Sequence, residues 1–137
     1  MHRVEAILYD LDRLAGPGWS AGLPLLPAGK RYAARVAWAG DGGELLIAHA
    51  YVRYLGDLSG GQILRKCLFR LFGSDFAAAA FTEFRGIAAI GEFVAGFRAA
   101  VDAACDSFAD PERIVEEAAM AFQMNISISE EVAAFRD

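Results

Sequence analysis

The sequence predicts an all-α fold, with helices packed around a shared core. Three observations carry this reading. Apolar residues recur at three- and four-residue spacing through most of the 137 residues. Alanine supplies much of a hydrophobic fraction of 55%. No stretch alternates long enough to compete as a strand: Ile126-Ser127-Ile128-Ser129 is short and lies inside a helical pattern.

The first helix is expected over residues 2–15, where Val4, Ile7, Leu8, Leu11 and Leu14 keep helical spacing. Gly16-Pro17-Gly18 ends it. Residues 19–28, with Trp19, Pro24 and Pro27, read as an irregular connection, and a shorter helix follows over about 29–39. Gly40-Asp41-Gly42-Gly43 is a turn. The longest helical segment covers about 43–72, and Gly56, Gly60 and Gly61 in its middle predict a kink. Phe76–Phe81 reads as a short helix and Phe84-Arg85-Gly86 as a bend. A further helix spans about 89–107, with Ile90, Phe93, Phe97, Val101 and Ala104 on one stripe. The last starts at Asp110 as N-cap with Pro111 in its first turn and runs to about Phe135. Its inward stripe is expected to be Val115, Ala118, Phe122 and Ile126.

Composition narrows the function. The net charge of −5 argues against general nucleic-acid binding, which needs clustered Lys and Arg. A mean hydropathy of +0.29 is high and suggests apolar surface that one small domain does not cover. Cys67 and Cys105 have no metal-site spacing and read as reduced, mostly buried thiols. Arg3, Glu5, Asp10 and Asp12 interrupt any early signal-like apolar run. No stretch approaches the ~20 apolar residues of a membrane span. The expectation is a soluble cytoplasmic protein with neither nucleic acid nor membrane as partner.

Local rules are broken in one place, Tyr54-Leu55-Gly56-Asp57-Leu58-Ser59-Gly60-Gly61-Gln62. A helix-interior glycine costs ~0.8–1 kcal/mol relative to alanine, so three cost roughly 2–3 kcal/mol. Gly56, Asp57, Gly60 and Gly61 fall on one helical patch, three of them without side chains. Such bare backbone suits a flat, largely apolar ligand, with a carboxylate beside it to hold water. Spacing alone is equally consistent with close approach of another helix. The GxGxxG and Walker patterns of phosphate loops are absent.

Residues 45–66, LLIAHAYVRYLGDLSGGQILRK, resemble the distal-helix signature of the biliverdin-producing heme oxygenases. The likeness extends to His2-Arg3, Asp10-Leu11 and Gly16-Pro17-Gly18-Trp19, to Arg98, and to Glu116-Glu117-Ala118 through Phe122 and Asn125. It covers most of the chain and implies a heme oxygenase-like multi-helical fold. Residues 1–137 would form a partial heme oxygenase domain.

In that family heme lies between a proximal helix, which gives a histidine to iron, and the glycine-rich distal helix. The resemblance implies O2-dependent cleavage of heme to biliverdin, CO and ferrous iron. Heme is then both substrate and cofactor. Asp57 would anchor a distal water, with Arg53 and Tyr54 supporting it through hydrogen bonds. Gly56 and Gly60 would face the heme, and Gly61 would permit the kink. Tyr51 and Arg98 would bind propionates, since the guanidinium fork matches a carboxylate. Phe122 would pack near the ring, and Asn125 would line or support the pocket. Without the family, Tyr51 and Tyr54 read as amphipathic core-edge residues, Arg98 as a solvated charge and Phe122 as core. His49 reads as a packed, hydrogen-bonded histidine rather than an iron ligand.

The pattern departs from the family at its start. His2 and His49 are the only histidines, and neither matches the proximal ligand. Val94 stands where some members carry a further basic residue. The expectation is an N-terminally truncated or mis-started product, favoured over a split protein completed by a second chain and over a poorly folding remnant. An external electron donor is implied: a reductase, ferredoxin or flavodoxin. The competing readings are a non-catalytic heme or tetrapyrrole binder and an inactive, partner-binding fragment.

Overall fold

The computed structural model describes residues 3–135, and among these there are helices and turns but no strand. The expectations for His2 lie outside the described residues. The helices are α1 (Val4–Ala15), α2 (Trp19–Gly22), α3 (Pro27–Gly42), α4 (Leu46–Ala50), α5 (Gly56–Phe72), α6 (Ile90–Cys105) and α7 (Pro111–Ala134). A π-helical turn, Tyr51–Leu55, joins α4 to α5, and a 3-10 turn covers Ala80–Thr82. The chain forms two compact units. One takes the residues up to Pro24 together with Gly56–Val94, and the other takes Leu25–Leu55 and the residues from Ala95 onward.

In the first unit α1 ends as expected, at Gly16, whose φ of 79° suits glycine. Its apolar stripe stays largely in solvent: Val4 and Leu14 are 67% and 62% exposed. The buried residue of α1 is Asp10. Its carboxylate accepts from the backbone amides of Ala80 (3.0 Å) and Phe81 (2.7 Å). This grip explains why Phe76–Phe81 is not the short helix expected. Two amides that a helix would turn inward are bonded to α1, and only the 3-10 turn remains. Leu58 of α5 is fully buried, worth about 1.5–3 kcal/mol. Thr82 is also buried and donates to Ala79 O at 2.6 Å. Arg65 of α5 reaches Glu83 at 2.8 Å.

In the second unit α3 begins earlier than expected, because Pro27 is pre-organised for the first helical turn. Its first turn is fastened from α7: Glu131 Oε2 accepts from the Ala28 amide at 2.6 Å. α7 starts as expected, with the Asp110 side chain accepting from the Arg113 amide. The buried stripe of α7 is Ile114, Glu117 and Ala121. The face expected to point inward is instead open, with Val115 70%, Phe122 59% and Ile126 38% exposed. The helix is turned by the pairing of Glu117, described below. None of the α6 residues is buried.

Two further expectations change. The segment read as irregular contains the single-turn helix α2. Cys67 and Cys105 are both free, as expected, but half-buried rather than buried. Among the described residues no helix is long and apolar enough to cross a membrane.

Candidate functional site

The glycine-rich segment begins α5, in the first unit. Gly56 and Gly60 are one turn apart and exposed, and a Cβ added at either would meet nothing within 4 Å. This leaves a strip of open backbone on one face. Gly61 points elsewhere: it is buried, and a Cβ there would come to 3.5 Å from the Phe84 ring and 3.9 Å from the Thr82 backbone. The patch expected from sequence therefore divides. Gly56 and Gly60 share the open face, and Gly61 is one of the contacts by which α5 packs on the segment around Thr82. Asp57 is half-buried in the first turn of α5. The distortion expected at the glycines lies just before them, since α5 runs unbroken through all three. Open, side-chain-free backbone beside a carboxylate fits a flat macrocycle.

Tyr51, Arg53 and Tyr54 lie on the π turn of the second unit. π-Helical turns are rare and recur at functional sites. Tyr51 is 38% exposed and Tyr54 half-buried. The structure joins Arg53 to Asn125: the guanidinium donates to Asn125 Oδ1 at 2.9 Å. Asn125 Nδ2 in turn donates to Ala121 O at 2.7 Å, which fixes the amide's orientation on α7. Arg98 is exposed on α6 and Phe122 exposed on α7, so Phe122 is surface rather than core.

A buried polar cluster sits behind the π turn. His49 and Glu117 are each 3% exposed, and His49 Nε2 lies 2.9 Å from Glu117 Oε1. Arg35 of α3 grips the same carboxylate at two points, Nε to Oε1 at 2.8 Å and Nη2 to Oε2. The hydrogen bond from Arg35 holds the Glu117 carboxyl below the ordinary carboxylate range. Burial opposes this, and the bond to His49 adds to it. An ionised Glu117 only accepts, so the proton between the two residues sits on His49 Nε2. His49 Nδ1 faces the Tyr32 hydroxyl at 3.3 Å. Both ring nitrogens are engaged, as expected for a packed histidine rather than a ligand. Sequence reading missed Arg35 and Tyr32. Their signal was indirect: a glutamate at Ile114–Glu117–Ala121 spacing, on an otherwise apolar helical face, implies a buried partner.

The heme oxygenase family model matches residues 1–131. The chain is 40% identical to heme oxygenase 1 of Pongo abelii, over 96% of its own length and 47% of that protein's. It is 38% identical to heme oxygenase 1 of Nostoc sp., over 96% and 56%. It is 37% identical to heme oxygenase 2 of Rattus norvegicus, over 96% and 43%. The chain thus spans about half the length of the curated relatives it matches. An all-helical fold, a glycine-opened α5 bearing Asp57 and a match across nearly the whole sequence agree: the chain belongs to the heme oxygenase family.

Proposed function

We propose that this chain forms the distal wall of a heme pocket and takes part in the O2-dependent cleavage of heme to biliverdin, CO and ferrous iron. The observation that carries the reading is the open backbone strip at Gly56 and Gly60, with Asp57 in the same helical turn. Heme, the substrate, also supplies the iron at which oxygen is activated, and an external reductase, ferredoxin or flavodoxin supplies electrons.

The chain's own residues have distinct parts. Gly56 and Gly60 let the macrocycle rest against backbone. Asp57 holds a water above it and keeps a proton available there. Arg53, held by Asn125 at 2.9 Å, keeps the preceding turn polar and ordered. Tyr51 and Arg98 bind the propionates, and exposed Phe122 covers part of the ring. Gly61 contributes through packing rather than contact with heme. His49 would not serve as an iron ligand, because both of its ring nitrogens are engaged by Tyr32 and Glu117.

Hemin titration followed by absorbance, then reductant under air, tests this. A saturable Soret band followed by biliverdin absorption is expected. Asp57→Ala should keep hemin bound and lower biliverdin formation by about 100-fold or more, the range of a lost proton-transfer group. An unchanged biliverdin yield in Asp57→Ala overturns the role of Asp57. A Soret band without turnover favours a non-catalytic tetrapyrrole binder. No saturable band overturns pocket formation by this chain alone.

A further inference from the structure

We infer that Glu117, acting through His49 with Arg35 behind it, is the positioning residue for the π turn Tyr51–Leu55.

Nothing in the sequence of the turn asks for π geometry. Tyr51-Val52-Arg53-Tyr54-Leu55 contains neither glycine nor proline, and α-helical residues lie on both sides. A π turn in ordinary helix-forming sequence is held by tertiary contacts, since α-helical hydrogen bonding is the better local choice. The candidate contacts surround it. His49, two residues before the turn, is tied to Glu117 at 2.9 Å. Inside the turn, Arg53 is tied to Asn125 at 2.9 Å, and at its end Leu55 is buried. Both of these polar ties run to α7, so its register bears on where the turn begins and where Arg53 is held.

Of the two ties, the one at Glu117 is built to be stiff. Its carboxylate is buried, and Arg35 takes both oxygens. A two-point guanidinium grip fixes the plane of the carboxylate, and hence the direction in which it accepts from His49. Arg35 is itself braced, with its guanidinium 3.9 Å from the centre of the Trp38 ring. Tyr32 holds the far side of the imidazole, so the ring cannot flip without losing two partners. The Arg53–Asn125 tie lies nearer the surface, with Arg53 exposed. The stiff tie therefore places the turn, and the outer one contributes to the orientation of Arg53 once it is placed. The meaning of this for heme chemistry rests on the function proposed above; the positioning itself does not.

The test is residue-resolved amide hydrogen exchange on the full chain without hemin, comparing wild type, Glu117→Gln and Glu131→Gln. Glu131 is the control, because it also joins α7 to α3 but takes no part in the Arg35–Glu117–His49 cluster. Glu117→Gln is expected to speed exchange at residues 51–55 by about tenfold or more beyond its effect on α3 and the C-terminal half of α7. Glu131→Gln should leave 51–55 within about twofold of wild type. Uniform acceleration in Glu117→Gln, matching its loss of global stability, would overturn the inference and leave a plain stabilising pair. Should Glu117→Gln not fold, Arg35→Lys is read by the same two criteria, since lysine keeps a cation but loses the two-point grip. In hemin-loaded protein, Glu117→Gln should slow biliverdin formation while leaving hemin affinity within about threefold. If wild type fails to bind hemin, the functional proposal falls, and the exchange pattern still decides the positioning role.

Discussion

Gly60 and Gly61 are neighbours in sequence with opposite surroundings, and substitution separates them. Gly60→Ala places a methyl in open space and removes a helix-interior glycine. It should raise unfolding free energy by about 0.5–1 kcal/mol and weaken hemin binding. Gly61→Leu drives a branched side chain toward Phe84 and should cost about 1–3 kcal/mol. Denaturant melts and hemin titrations check both; a destabilised Gly60→Ala would mean that its face is occupied by protein. Glu117 makes a prediction in pH. Its folded-state pKa is depressed, chiefly by Arg35, so its stabilising contribution is complete above the unfolded carboxyl pKa of about 4.3 and is lost as pH falls through the lower folded value. Wild type should therefore exceed Glu117→Gln by about 2–4 kcal/mol near neutral pH, with the gap closing below about pH 4. A gap independent of pH would place the stabilisation in packing rather than in the charge.

Among the elements, those with strong punctuation were legible in the sequence. Asp110-Pro111 opens α7 and Gly16 closes α1 because cap chemistry is local. What escaped was set by distant partners. The Phe76–Phe81 segment carries helix-forming alanines, yet Asp10 claims two of its amides. Asp10→Ala should thus cost about 1–3 kcal/mol by leaving both amides without an acceptor, with the loss read by thermal or denaturant unfolding and the fastest exchange at residues 80–82. A neutral result would show that water serves the loop equally well. The face of α7 was misread because apolar spacing favours Val115 and Phe122, whereas a paired glutamate takes the inner position. In the candidate site, spacing alone put Gly56 and Gly60 on one helical patch and left open whether another helix covers it; the structure leaves both exposed. The separation of Gly61, the π turn and the Arg35–Glu117–His49–Tyr32 cluster were not, since each depends on which helix lies behind.

Across the whole molecule, high mean hydropathy has a visible counterpart in exposed apolar side chains. On α1, Val4, Ile7, Leu8 and Leu14 are all at least 43% exposed, and on α5 Ile63 is 67% exposed. Such surface favours association, so sedimentation velocity should show oligomers growing with concentration. Val4→Lys with Leu14→Lys should reduce this while changing unfolding free energy by less than about 0.5 kcal/mol, because neither residue is buried. Unchanged association would direct attention to α5 or α7. The two compact units also divide the thiols evenly: Cys67 belongs to one and Cys105 to the other. Nature has thereby left one maleimide attachment point on each, so a donor and an acceptor fluorophore can be installed without any cysteine mutagenesis, and energy transfer between them becomes a ruler for what hemin does to the chain.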